Sequence, residues 1–184
     1  SHMFRLALPT DTLDVSDYPV GVRRLRSEAD ADAVNRLYAT NGMLPGPVET
    51  LVANAYRSEF LHLVADHPLT GAIVGTITGI DHVEAFDDPA GGASLWCLTV
   101  DMNSAPPGTG QALLAGLAMR LTQRGRAYVD LSVLAENTGA IRLYERLGFE
   151  PISELCVKRK NPINESLFVV SEVDGYDALN PYAR

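Results

Sequence analysis

Cysteine is scarce in this sequence. Its two cysteines, Cys97 and Cys156, both lie in apolar, strand-like runs. A cysteine in such a run is usually a small buried hydrophobe rather than a disulfide partner, a nucleophile or a metal ligand. We therefore expect no disulfide and no metal site, as is typical of a protein in the reducing cytoplasm.

Positive charge and long apolar runs are also lacking. The chain carries 15 Lys and Arg against 23 Asp and Glu, a formal net charge of -8. This leaves no basic field to attract phosphate backbones, which argues against nucleic-acid and anionic-membrane binding but leaves a local basic pocket open. No signal peptide or apolar run of membrane-spanning length is visible. These absences predict a soluble, cytoplasmic protein.

The length and hydrophobic content predict one domain. The sequence has 184 residues, 46% of them hydrophobic, which is enough for a sizeable core but short for two domains. Residues 1–18 are interpreted as a tag remnant (Ser1-His2-Met3) followed by an N-terminal arm or loop. Residues 19–170 are expected to form the domain, and residues 171–184 a C-terminal tail or an excised linker.

Strand and helix patterns alternate along the predicted domain. Ser27 is a candidate helix N-cap, with Asp30 three residues later, and Pro47 is well placed to start a second helix. Further helices are predicted from the "GTGQALL" segment to Gly125 and from Asn137 to Leu147. Strand patterns lie at residues 18–27, 60–83 (a hairpin), 94–101, 127–133, 149–160 and 165–170, and residues 84–93 are expected to form a loop.

The C-terminal half contains a series of motifs in a recognisable order. From Leu95 to Phe149 the segments "LTVD", "GTGQALL", "LSV", "NTGA" and "LYERLGF" follow one another. This order and spacing resemble the GCN5-related N-acetyltransferase (GNAT) superfamily. The resemblance implies an α/β (α+β) fold with a mixed, mostly antiparallel sheet of six to seven strands and helices on both faces. It also implies that the sheet is splayed between its fourth and fifth strands, where acyl-CoA binds.

The helix after Asn137 carries the most specific candidates. Ala140, Leu143, Tyr144 and Leu147 share one face of this helix, so Tyr144 is expected to point inward. Without the resemblance, Tyr144 is a core aromatic and Asn137 an N-cap. With it, the Tyr144 hydroxyl protonates or hydrogen-bonds the departing CoA thiolate, and Asn137 contacts the cofactor. The resemblance also implies that the backbone groups of Leu98 and Val100 bind pantetheine.

The loop before the third predicted helix departs from the family pattern. By resemblance, the backbone N–H groups of Gly108, Thr109, Gly110 and Gln111 cradle the pyrophosphate at a helix N-terminus. The family's Arg or Gln position is Ala105 here, and the two residues that follow, Pro106 and Pro107, have no N–H to donate. The segment can also be interpreted as an ordinary loop and helix start. We therefore expect acetyl-CoA to bind, but weakly.

A general base is not evident on the fourth strand of the family count. Members of the family often place a carboxylate there, but this strand reads Ser94-Leu95-Trp96-Cys97. The nearest candidates are Glu84, ranked first, and His82, just past the preceding strand. Both can also be interpreted as solvated loop residues.

Two functions follow from these patterns. The first is an acetyl-CoA-dependent N-acetyltransferase, without a metal, that acts on a small-molecule primary amine. The tail resembles the segment that joins a GNAT domain to an ATP-grasp ligase in N-acetylglutaminylglutamine synthetase-like proteins. That resemblance implies an ATP-grasp partner domain and the α-amine of an amino acid or dipeptide as acceptor. The alternative is a catalytically silent GNAT-like module that binds a metabolite or docks a partner domain.

Overall fold

A computed structural model describes residues 2–9 and 18–152 of the chain. The described residues form seven strands and five helices. In chain order these are β1 (His2–Ala7), β2 (Gly21–Arg24), α1 (Glu28–Thr40), α2 (Val48–Ala55), β3 (Phe60–Asp66), β4 (Ile73–Asp81), α3 (His82–Phe86), β5 (Gly92–Val100), α4 (Thr109–Gln123), β6 (Tyr128–Val133), α5 (Thr138–Arg146) and β7 (Glu150–Pro151).

The strands form one mixed sheet in the order β2-β3-β4-β5-β6-β1-β7. Neighbouring strands are antiparallel except β5 and β6, which are parallel. One cluster of buried side chains packs β3 to β6 against α4, and a second packs α1 and α2 against the sheet. The predicted fold class, a mostly antiparallel mixed sheet with helices, is confirmed.

The two parallel strands are paired only at their beginnings. Residues Gly92, Ala93 and Ser94 of β5 pair with β6, and no pairing continues from there to Val100. The predicted splay is therefore present between β5 and β6. These correspond to the fourth and fifth strands of the family, whose count begins at β2 of this chain. A β-bulge in β5 leaves Trp96 without a partner residue on β4, and such bulges re-aim side chains near functional sites.

The first strand was not predicted. Residues His2–Ala7 form β1, which pairs with β6 at six positions and lies between β6 and β7. The guanidinium of Arg5 donates to both carboxylate oxygens of Asp130, at 2.7 and 3.0 Å, and lies 3.7 Å from the Tyr128 ring centroid. The expectation of a loose arm from residue 4 is wrong for residues 4–7. Six residues without clear alternation carry little local signal, and partners distant in sequence define this strand.

The N-terminal half otherwise follows the sequence patterns. The Ser27 hydroxyl caps α1 by accepting the Asp30 N–H at 3.2 Å, α2 follows Pro47, and β3 and β4 form the predicted hairpin. Where a loop was predicted from residue 84, a short helix, α3, extends to Phe86. The Asp81 carboxylate caps it by accepting the N–H groups of Val83 and Glu84.

The Ser27 cap provides a test of this local structure. Ser27→Ala removes the side-chain acceptor, and we expect a loss of about 1 kcal/mol in the free energy of unfolding. Denaturant melts measure it. Ser27→Asp, which keeps an acceptor, should retain most of the stability, and equal losses in both variants would contradict the capping role.

Helix α4 lies unusually close to β4. A side chain at Gly75 or Gly79 would place its Cβ 2.8 Å from Leu113 or Leu117, respectively. The helix begins after Gly108, whose φ of 92° lies in the left-handed region that favours glycine. This packing fixes the N-terminus of α4 beside the C-terminal end of β5.

The C-terminal segment is described only as far as Ile152. Of the strand predicted at residues 149–160, the structure describes the part that forms β7, Glu150–Pro151. The strand predicted at residues 165–170 lies outside the described residues. Cys156, the remaining strand residues and the predicted tail lie outside the described residues. Among the helices that the structure describes, none is both long and apolar enough to cross a membrane.

Candidate active site

A cavity of about 820 Å³ lies at the open end of the splay. It is bounded by the end of β5, the loop before α4, the N-terminus of α4 and one face of α5. The α1–α2 loop supplies a further wall. The lining residues predicted from the sequence are Leu98, Val100, Gly108, Thr109, Gly110 and Asn137.

Free backbone donors lie at the N-terminus of α4, where Gly108 and Gly110 line this cavity and Gln111 follows them. Among the described residues, the N–H groups of Gly108, Gly110 and Gln111 make no hydrogen bond. Thr109 differs, because its N–H and its hydroxyl both donate to the Pro106 carbonyl, at 3.2 and 2.7 Å. The Thr109 hydroxyl therefore donates its proton within the loop and not to a ligand. Three free N–H groups at the positive end of a 15-residue helix suit a phosphate group.

The exposed edge of β5 forms another side of the cavity. Leu98 and Val100 line it, and both lie beyond Ser94, where pairing with β6 stops. An unpaired strand edge offers N–H and C=O groups to an extended ligand. The edge and the helix N-terminus together fit a cosubstrate with a phosphate group at one end and an amide-containing arm.

Helix α5 brings a cation to the cavity. Gly139, Leu143 and Arg146 line it, at a spacing that places them on one helix face. Arg146 makes no ion pair within the described part of the chain. Arg142, on the same helix, is exposed and does not line the cavity. Arg146 is therefore the better placed of the two arginines to replace the cation that Ala105 lacks.

Asn137 combines a structural contact with a position in the cavity wall. Its side-chain oxygen caps α5 by accepting the Ala140 N–H at 3.1 Å. The N-cap interpretation is confirmed. Because Asn137 also lines the cavity, contact with a cofactor stays a prediction compatible with the cap.

Tyr144 is buried beside the cavity, although it is not among the lining residues. Its ring packs edge-on against Phe149, with centroids 5.6 Å apart, and 7% of the residue is exposed. Its hydroxyl makes no hydrogen bond with the described residues. Burial, aided by the nearby Cys97 on β5, raises the pKa of Tyr144 above its ordinary range. The phenol is therefore protonated at neutral pH and available as a donor.

The two base candidates lie at the other end of α4. Arg124, just past its C-terminus, donates to Asp81, which directly precedes His82, and α4 is about 22 Å long at 1.5 Å per residue. Glu84 is exposed and accepts a hydrogen bond from Ser58 at 3.2 Å. His82 is buried and bonded to Ser94. Neither lines the cavity, and Gln111 is likewise outside it.

Some lining residues were not predicted. Asn41 and Met43 reach the cavity from the α1–α2 loop, far before β5 in the chain, and no local sequence signal identifies them. The Thr99 hydroxyl lies 3.2 Å from the Met43 sulfur and 2.9 Å from the Cys97 sulfur. Burial raises the pKa of Cys97 to about 12, and the expectation that this cysteine is buried is confirmed.

Comparison with known families gives a consistent match. The pattern of the Acetyltransferase (GNAT) family covers residues 28–149. A stretch of 59 residues is 46% identical to the mycothiol acetyltransferase of Clavibacter sepedonicus, which is 32% of this chain and 19% of that protein. A stretch of 67 residues is 46% identical to the [ribosomal protein bS18]-alanine N-acetyltransferase of Escherichia coli K12, covering 36% and 43% of the two chains. These matches span less than half the length of either relative.

Solved structures share the fold. A GCN5-related N-acetyltransferase from Sphaerobacter thermophilus superposes with a TM-score of 0.60 at 24% identity, over 82% of this chain and 48% of that one. The ribosomal-protein-S18-alanine N-acetyltransferase from Escherichia coli superposes with a TM-score of 0.57 at 25% identity, over 73% and 79%. At this identity the first likeness is one of fold alone.

Proposed function

Because the chain belongs to the Acetyltransferase (GNAT) family, we propose that it transfers an acetyl group from acetyl-CoA to the primary amine of a small molecule. Members of this family generally use acetyl-CoA. The observation that carries the proposal is the set of unpaired N–H groups at the α4 N-terminus, where Gly108 and Gly110 line a cavity bounded by an unpaired strand edge.

Each part of the cavity suits one part of the cosubstrate. Gly108, Gly110 and Gln111 would hold the pyrophosphate through backbone N–H groups, with Arg146 close by. The backbone of Leu98 and Val100 would bind the amides of the pantetheine arm. The cosubstrate supplies an activated acetyl thioester, and the protonated Tyr144 phenol would hold a proton ready for the sulfur.

For the acceptor we propose the α-amine of an amino acid or dipeptide. The relatives named above include one named for mycothiol and one named for an alanine of a ribosomal protein. An α-amine has a pKa near 8, against about 10.4 for a lysine amine, and so has a larger fraction of free base at neutral pH. An ATP-grasp partner domain stays a prediction, because the tail that suggested it lies outside the described residues.

The second candidate function is a catalytically silent binding or docking module. It is favoured by Ala105, Pro106 and Pro107, which lack the family's cation and two donors, and by the Thr109 hydroxyl, which is bonded to the Pro106 carbonyl. Such a module would bind no acetyl-CoA at the α4 N-terminus.

Thermal unfolding separates the two functions. With acetyl-CoA at about ten times its dissociation constant, a few millimolar for weak binding, we expect a stabilisation of roughly 1.4 kcal/mol, because only the folded state binds it. An acetyl thioester of cysteamine, which has no phosphate, is the matched control and should give little shift. A flat response to millimolar acetyl-CoA favours the silent module. A thiol-release screen over amino acids, dipeptides and polyamines then identifies the acceptor.

A further inference from the structure

A serine, a histidine and an aspartate meet at the apex of the splay. Ser94 is the last residue of β5 that pairs with β6. The His82 Nε2 lies 2.9 Å from the Ser94 hydroxyl oxygen, and its Nδ1 lies 3.8 Å from an Asp88 carboxylate oxygen. His82 and Ser94 are 4% and 8% exposed. The ring nitrogens thus face a hydroxyl on one side and a carboxylate on the other.

The apex is where the reactive end of the cosubstrate would come to rest. This step depends on the proposed function, in which the phosphates lie at the α4 N-terminus and the arm follows the unpaired edge of β5. From Val100 back to Ser94 is six residues, about 20 Å at 3.3 Å per residue. An extended arm that enters at Val100 therefore points toward Ser94, where the re-formed β5–β6 pairing blocks further passage.

The charges around His82 favour a proton-accepting role. Asp81, the residue before it, is buried and held by Arg124 and Arg126, each at 2.8 Å. Glu84 is exposed, with Arg126 at 3.8 Å. Of these three carboxylates, Asp88 is the one that faces the imidazole and has no arginine partner among the described residues. It can stabilise the cation that forms when His82 gains a proton.

Rigid packing holds the imidazole in this orientation. The Phe86 ring lies 5.9 Å from it, centroid to centroid. Asp88 is itself fixed, since its two carboxylate oxygens accept the N–H groups of Ala90 and Gly92, at 2.9 and 3.1 Å. Asp88 is thereby tied to the first residue of β5, two positions before Ser94.

We propose that Ser94 contacts the acceptor amine and that the His82–Ser94 pair takes its proton. As the amine nitrogen bonds to the acetyl carbon, its proton passes to the Ser94 oxygen while the Ser94 proton passes to His82 Nε2. The carbon–sulfur bond breaks, and the thiolate takes a proton from Tyr144 or from water. Ser94 would be the catalytic residue, and His82 acts through it. Both proton transfers balance without any further reactant.

The test combines variants of both residues with a pH profile. General acid–base catalysis contributes about a hundredfold to ten-thousandfold, and we expect at least a tenfold loss of kcat/KM in Ser94→Ala and His82→Gln. Ser94→Thr, which keeps the hydroxyl, should recover most of the activity. His82→Gln should also flatten the acid limb of the profile. His67→Gln makes the same change at a partly exposed histidine in the β3–β4 turn and should leave the profile unchanged.

A profile of the unaltered protein keeps the inference testable if a variant fails to fold. For kcat measured at saturating acceptor, which reports ionisations within the complex, the acid limb should have the same midpoint for an α-amine acceptor and for a lysine-type amine, whose free pKa values differ by about 2.5 units. A midpoint that moves with the acceptor, or a limb that Glu84→Gln abolishes instead, overturns the proposed role of His82 and Ser94. Absence of turnover in the unaltered protein counts against the proposed function itself, whereas turnover that Ser94→Ala and His82→Gln leave unchanged counts against this inference alone.

Discussion

Tyr144→Phe is expected to lower turnover by about a hundredfold, the low end of the range for general acid catalysis. The reason for the low end is the leaving group, because a thiol with a reference pKa near 8.5 departs without much assistance. The ring keeps its edge-on contact with Phe149, so the free energy of unfolding should change little. Steady-state thiol release at saturating acetyl-CoA measures the effect.

The control for this variant is Tyr56→Phe. Tyr56 is 71% exposed and donates its hydroxyl to the Arg26 carbonyl, away from the cavity. It should leave turnover unchanged. Since burial raises the Tyr144 pKa, the phenol stays protonated through neutral pH, and no basic limb below about pH 10 should arise from it. Unaltered turnover in Tyr144→Phe would remove this residue from the mechanism.

Much of the fold could be predicted because the informative patterns are local. The two predicted N-caps each join residues three positions apart in the sequence, Ser27 to Asp30 and Asn137 to Ala140. The parallel pairing that ends at Ser94 was accessible only through the resemblance, since no residue of β5 or β6 signals it alone. β1 was missed because its identity as a strand depends on β6, more than 120 residues away.

In the candidate site, too, the residues within local motifs could be predicted and those brought together by packing could not. Residues within a motif, such as Gly108 and Gly110, were predicted and do line the cavity. Met43 reaches it only through the packing of α1 on the sheet. The His82–Ser94 bond joins a helix to a strand across a loop, and the sequence presents its two members as an isolated histidine and an unremarkable serine. Side-chain geometry between elements is what local patterns do not contain.

Acetyl-CoA affinity should reveal how far the loop before α4 has departed from its family. Each hydrogen bond to a charged group contributes about 1.5 to 3 kcal/mol, so the loss of two donors at Pro106 and Pro107 would weaken binding by about a hundredfold to ten-thousandfold if uncompensated. We expect a dissociation constant on the order of hundreds of micromolar. Ala105→Arg combined with Pro107→Gly restores one cation and one donor, and calorimetry should show binding at least about tenfold tighter.

Variants of Arg146 and Arg142 test whether Arg146 compensates for the cation and the N–H donors that the loop before α4 lacks. Arg146 lines the cavity and Arg142 does not, although both are exposed arginines on α5. If Arg146 contacts a phosphate, Arg146→Ala should weaken acetyl-CoA binding by about tenfold or more. Arg142→Ala should have little effect. The Arg146 contribution should also shrink as salt is raised, because screening weakens exposed charge pairs. If the unaltered protein binds acetyl-CoA with micromolar affinity and Arg146→Ala keeps that affinity, the three free N–H groups of α4 suffice. If neither the unaltered protein nor any variant binds acetyl-CoA, the silent module is favoured.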